Sequence, residues 1–297
     1  MILKKIALIA TLASTLFLSA CDNGKKVEAA AETAKPVAPS IKVGVINGPD
    51  QEVAEVVKQQ AKELYNLDVE LVIFNDYVTP NQALNDGLID INVFQHIPYL
   101  EQQIKDRHYD LTIVGNTFVY PIASYSNKLK PITDESEIGQ GVKVISPQAQ
   151  TYFIPAGANI AVPNDPTNLG RALLLLQKQG MITVDPAKGL LPTTIDITSN
   201  PYNFNIVELE APMLPRALND DQVDLAIINN TFAGQVNLSP SKDGIFAEDN
   251  DSPYMNIIVS RTNNKDDKNV ATFVKAYQTD ATVNKTNELY KGAVKGW

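Results

Sequence analysis

The sequence predicts an α/β fold built as two similar lobes, and three observations predict it. The folded part opens strand–helix–strand, a helix-to-strand junction from the first half is echoed in the second half, and a strand leading into a capped helix restarts the pattern in mid-chain. Ile41-Lys-Val-Gly-Val-Ile46 is a short apolar run closed by Asn47-Gly48-Pro49, hence a strand entering a turn. Val53, Val56, Val57, Ala61 and Leu64 then recur at helical spacing, and Val69 to Phe74 reads as a second strand. This βαβ opening argues for a parallel sheet covered by helices.

The echo pairs Ala83-Leu-Asn-Asp-Gly-Leu-Ile-Asp-Ile91 with Ala217-Leu-Asn-Asp-Asp-Gln-Val-Asp-Leu225, identical at five of nine positions. Each reads as a helix end turning into an apolar strand, the first leading to Phe94-Gln-His96 and the second to Asn229-Asn230. Two readings stay open: helix–turn–strand junctions that look alike by chance, or two similar lobes whose strand ends face each other. Leu111 to Ser126 is a long β-rich stretch broken by Gly115 and Pro121. Ala158 to Val162 begins a new unit and runs into a helix with Asp165 as N-cap, Pro166 at its first position and Gly180 at its end. Asn256 to Arg261 is a further strand, and Val270, Phe273, Val274 and Tyr277 line a C-terminal helix.

The N-terminus is of another kind. Lys4 and Lys5 precede an apolar run from Ile6 to Leu18, then Ser19, Ala20 and Cys21, the only cysteine. The run, about 13 residues, is short of the ~20 a membrane-spanning helix needs, and its order is that of a secretory signal with a cysteine placed for acylation. Residues 1–20 are therefore expected to be a signal peptide, and 21–40, rich in Ala, Lys, Glu and Pro, a lipidated cysteine followed by a flexible tether. With Cys21 acylated no thiol remains for disulfides or thiolate metal sites. The chain is acidic: it has 25 Lys+Arg against 34 Asp+Glu, a net of −9, and loss of the signal would take two lysines from that balance. Such a chain is repelled by nucleic acid and anionic headgroups, leaving the lipid to hold it at the membrane.

At the start of the 166–180 helix, free N–H groups offer a seat for an anion. Arg171 on the same end can present a guanidinium fork to a carboxylate, and Asn168 a donor and an acceptor. A surface salt bridge is the competing reading for Arg171. Phe94, His96 and Tyr99, with Tyr120, can wall an apolar pocket or belong to the core. Neither histidine, His96 or His108, has an evident Ser or Cys partner, and Asp249-Asn-Asp251 reads as a solvated loop; no enzyme, metal site or cofactor is expected.

These residues add up to a resemblance. Val43-Gly-Val, Phe74 to Leu84, Phe94 to Leu100, Gly115 to Ala123, Val162-Pro-Asn-Asp-Pro-Thr-Asn-Leu-Gly-Arg171, Ile206 to Ala211 and Gly292-Ala-Val-Lys-Gly-Trp297 resemble the NlpA/MetQ family of methionine-binding lipoproteins. The resemblance runs from Cys21 to Trp297. It implies the two-lobed periplasmic-binding-protein fold (type II), with ligand in the interlobe cleft. It also implies 41–135 and 241–297 as lobe I, and 136–240 as lobe II with an extra segment near 139–157, where Val142 to Ile145 and Tyr152 to Ile154 suit a hairpin. Arg171 would grip a methionine carboxylate beside Asn168. Asn229 and Asn203 would accept hydrogen bonds from its ammonium, and Tyr77, Phe94, His96, Tyr99 and Tyr120 would enclose its side chain. The implied partners are methionine, the membrane and ATPase subunits of an ABC importer, and the membrane through the lipid, for a monomer facing the periplasm or cell exterior. Asp22 resembles the signal that retains lipoproteins at an inner membrane. The rival expectations are a methionine-containing dipeptide or another amino acid as ligand, and a surface adhesin using the lipid for display.

Overall fold

The computed structural model describes residues 38–134, 138–249 and 251–297. The expected signal peptide, Cys21 and the tether as far as residue 37 lie outside the described residues. Two mixed sheets organise the rest. The first has the order Val294–Lys295, Leu111–Val119, Met255–Arg261, Ile91–His96, Ser40–Ile46, Asp68–Phe74. The second has the order Asn205–Leu209, Asn159–Pro163, Leu225–Ile228, Ala123–Tyr125, Phe246–Ala247.

The βαβ opening forms as its pattern predicts. Ser40–Ile46 lies parallel to Asp68–Phe74 along its whole length. The crossover helix Pro49–Tyr65 starts on a proline, carries Asp50 and Glu52 in its first turn, and stops where Asn66 turns left-handed at φ 53°. Its buried stripe, Val53, Ala54, Val57 and Ala61, faces a core shared with Val43, Val69, Phe118 and Phe273.

The echoed segments occupy matching places. Ala83 to Ile91 leaves the helix Thr79–Asn85 for a strand parallel to Ser40–Ile46, and Ala217 to Leu225 leaves the helix Leu214–Ala217 for a strand parallel to Asn159–Pro163. The shared aspartate does the same work in both. Asp90 Oδ2 accepts the Lys42 N–H at 2.8 Å, and Asp224 Oδ2 accepts the Asn159 N–H at 2.9 Å. Each carboxylate satisfies a donor near the start of the parallel strand beside it.

The chain crosses between sheets at places the sequence reading does not expect. Ala123–Tyr125 and Phe246–Ala247 pair with each other in the second sheet, although the expected boundaries fall at 135/136 and 240/241. Pro121 is the physical reason for the first difference: lacking an N–H, it ends the strand Leu111–Val119, so the Leu111–Ser126 stretch serves both sheets. The 141–155 segment forms an antiparallel hairpin, Gly141–Ile145 with Thr151–Pro155, whose Val144 and Ile154 join the core of the second sheet.

A third apolar cluster lies where strand ends of the two sheets meet. It joins Ile46 and Phe94 of the first, with Tyr99 of the helix Ile97–Arg107, to Ala161, Ala226 and Ile228 of the second, with Phe232 of the helix Asn230–Gln235.

Candidate functional site

At this junction the strand Ile91–His96 delivers Phe94 and His96. His96 then caps the helix Ile97–Arg107, its Nδ1 accepting the Tyr99 N–H at 3.1 Å. With Nδ1 an acceptor, the neutral ring carries its proton on Nε2, which donates to Asn168 Oδ1 at 3.2 Å across the junction. Burial first, and then the Arg171 charge, push the His96 pKa down to about 3. The ring is therefore a neutral donor at every physiological pH.

Opposite it, the strand Asn159–Pro163 ends at the helix Pro166–Lys178, with Asp165 as N-cap. The expected anion seat at this helix start is filled by the protein itself. The Asp165 carboxylate accepts from the Asn168 N–H and side-chain amide and from the Thr167 hydroxyl, all at about 3 Å. Burial raises its pKa, and these hydrogen bonds oppose the rise. Asn168 Oδ1 in turn accepts from Asn229 Nδ2 at 2.7 Å, so Asn168 is a node between Asp165, His96 and Asn229. Among the described residues, the buried Asn229 Oδ1 finds no hydrogen-bond partner, nor does the buried Asn230 Nδ2. Two such groups side by side form a polar spot able to receive a ligand's donor and acceptor.

Arg171 is buried, its side chain 4% exposed. Its Nε donates to Glu248 Oε1 at 3.0 Å, Nη2 to Glu248 Oε2 and to the Tyr120 carbonyl at 2.9 Å, and Cζ lies 4.2 Å from the Tyr254 ring centroid. The competing reading, a salt bridge, is realised with Glu248, but in a buried rather than a surface setting.

The aromatic wall is continuous. Tyr77 lies 5.8 Å from Phe94 and 4.8 Å from Phe232, Phe94 meets Tyr99 edge-on at 6.0 Å, and the Tyr99 hydroxyl donates to the Tyr77 carbonyl at 2.7 Å. One cavity is lined by Tyr77, Phe94, His96, Tyr99, Tyr120, Asn168, Arg171 and Asn229, together with Asn230, Thr231 and Asn256.

Asn203 is not brought to it. Asn203 is exposed, at φ 55°, in the turn before the strand Asn205–Leu209. That strand runs parallel to Asn159–Pro163, so Asn203 lies at the edge where the strands begin while the cavity lies where they end. Sequence reading misses Glu248 and Tyr254. The signal for Glu248 is its place directly after the Phe246–Ala247 strand, obscured by the acidic loop beyond it. Among the described residues no group of three or more His, Cys, Asp and Glu could hold a metal ion, and no helix is long and apolar enough to cross a membrane.

Comparison with known proteins agrees with this architecture. The family model described as NlpA lipoprotein matches residues 41–297. The D-methionine-binding lipoprotein MetQ of Yersinia pestis is 52% identical over 296 residues, covering 99% of this chain and 98% of the relative. The crystal structure of the methionine-binding protein MetQ superposes with a TM-score of 0.78 at 56% identity, covering 87% of this chain and 98% of its own. A nutrient-binding protein from Burkholderia cenocepacia, solved bound to methionine, gives 0.77 at 42% identity, covering 86% and 100%.

Proposed function

The chain belongs to the NlpA lipoprotein family, and on that premise we propose that it is an extracytoplasmic lipid-anchored receptor that captures methionine between its two sheets and delivers it to an ABC importer. The observation that carries the reading is the convergence of one buried guanidinium, three buried asparagines and an aromatic wall on a single cavity. This is the chemistry of a zwitterion with an apolar tail. Arg171 takes the carboxylate, and Asn229 Oδ1 accepts from the ammonium while Asn168 holds the Asn229 amide in place. Tyr77, Phe94 and Tyr99 surround the thioether, whose polarisable sulfur packs well against ring edges. His96 fixes Asn168 from the opposite side, and Tyr120 contributes its carbonyl to the Arg171 setting.

Energies show why both halves of the cavity matter. Micromolar binding needs about −8 kcal/mol. Burying the side chain supplies only ~2–3 kcal/mol, so the charged contacts, strengthened by exclusion of water, supply much of the rest. In this reading one lobe holds the first sheet and the other the second, with the crossings near 120–122 and 248–254. Lobe closure is of the hinge type, and the closed form presents both lobes to the membrane and ATPase subunits. Cys21 carries the lipid, and the receptor acts as a monomer.

Calorimetry on ligand-stripped protein tests the carboxylate assignment. Arg171→Ala is expected to weaken methionine about a hundredfold, the worth of a lost charge-assisted contact. Unchanged affinity in a folded variant would refute it.

A further inference from the structure

Both chain segments that cross between the sheets end on Arg171. Tyr120, directly after the strand Leu111–Val119, gives its carbonyl to Nη2 at 2.9 Å. Glu248, directly after Phe246–Ala247, takes the Nε–Nη2 edge, and Tyr254, just before Met255–Arg261, lies against the guanidinium face. Nη1 has no hydrogen-bond partner among the described residues. Glu248 borders a different groove from the cavity that Arg171 lines.

We infer that Glu248 is a positioning residue for the ligand's carboxylate, and that its charge makes the cleft select zwitterions over simple anions. The inference rests on the reading of this cavity as the methionine site. A guanidinium is a planar fork, and a two-point bond to one edge fixes the plane of the whole group. With Nε and Nη2 committed to Glu248 and Tyr120, the ligand's carboxylate is directed to Nη1. Glu248 also balances the Arg171 charge in the free protein, so a buried cation is never left unpaired. An incoming carboxylate therefore meets an ion pair rather than a bare cation. A ligand that brings its own ammonium leaves the balance of the Arg171–Glu248 pair undisturbed, whereas an anion of the same shape adds one uncompensated negative charge beside it.

The test titrates full-length ligand-stripped protein with L-methionine and with 4-(methylthio)butanoate, which keeps the carboxylate and thioether but has no amino group. Glu248→Gln is expected to weaken methionine by about tenfold or more, the usual scale for a charge-assisted contact. It is also expected to narrow the preference for methionine over the anion, because the repelling charge is gone. Glu248→Asp, which keeps the charge, should retain that preference and serves as the second variant should Glu248→Gln fold poorly. Equal loss of both ligands in Glu248→Gln, undiminished methionine affinity, or a preference lost in Glu248→Asp would overturn the role given to Glu248. Arg171→Ala, run alongside, separates the two levels: if it bound methionine like the unaltered protein, the site assignment itself would fall, whatever Glu248 did.

Discussion

His96 links local folding to the cavity through a single ring, because its two nitrogens face different elements: the helix it caps and Asn168 across the junction. Its pKa, held down to about 3, carries a stability consequence with a definite sign. An unfolded chain protonates its histidine below about 6.5, while the buried ring refuses the proton, so His96 removes stability as pH falls from about 6.5 toward 3. Asp50 acts in the opposite sense. Burial raises it to about 6 against the hydrogen bonds from Tyr290 and Thr231, so between its ordinary 3.8 and 6 the folded state holds the extra proton. Urea unfolding of the unaltered protein beside His96→Asn isolates the histidine. The stability advantage of the unaltered protein should shrink by about 1–2 kcal/mol between pH 7 and pH 5, and a gap independent of pH would contradict the assignment. At this scale the sequence is only partly legible. Asp165 and Arg171 are readable because a helix start is a local pattern. Glu248 is not, because its partner lies 77 residues away and nothing local marks a carboxylate that turns inward from an acidic loop. Asn203 misleads for the same reason in reverse: its residue type fits the ligand's chemistry, but the strand it precedes carries it to the other edge of the sheet.

Among elements, the helix–turn–strand echo has a physical cause beyond its apolar pattern. Asp90 and Asp224 each receive a backbone N–H of the neighbouring parallel strand, and each returns its own N–H to a carbonyl of that strand. Asp224 also meets Lys128 at 3.4 Å. Asp224→Ala should therefore leave the Asn159 N–H without its partner at a half-buried strand start and lower stability by about 1–2 kcal/mol. Equilibrium unfolding measures this, and a variant as stable as the unaltered protein would show that water replaces the carboxylate at no cost. Long elements with strong periodicity, the opening βαβ and the helix Pro166–Lys178, are legible from spacing alone. The short strands Ala123–Tyr125 and Phe246–Ala247 are not. They have too few residues to show a period, and what defines them is mutual pairing, supported by Ser124 Oγ donating to the Phe246 carbonyl 122 residues away.

For the whole molecule, contacts between the helix Asn230–Gln235 and the start of the helix Pro49–Tyr65 accompany the cavity. Thr231 Oγ donates to Asp50 at 3.1 Å, and Gln235 Nε2 to the Asn47 carbonyl at 2.8 Å. In the proposed reading these belong to the closed receptor, and the lipid on Cys21 keeps that receptor near its transporter. In that reading a tether of about 20 residues would confine it to a shell at the membrane and raise its effective concentration there. Cys21→Ala should leave methionine affinity in solution unchanged and lower uptake at limiting methionine; uptake unaffected at native expression would reduce the anchor to an address. In the proposed reading the cleft holds free methionine. Mass spectrometry of the small molecule released on denaturing protein purified under native conditions tests it most directly. Methionine is expected at near one equivalent per chain; a dipeptide, a different amino acid or no released ligand at all would refute the assignment.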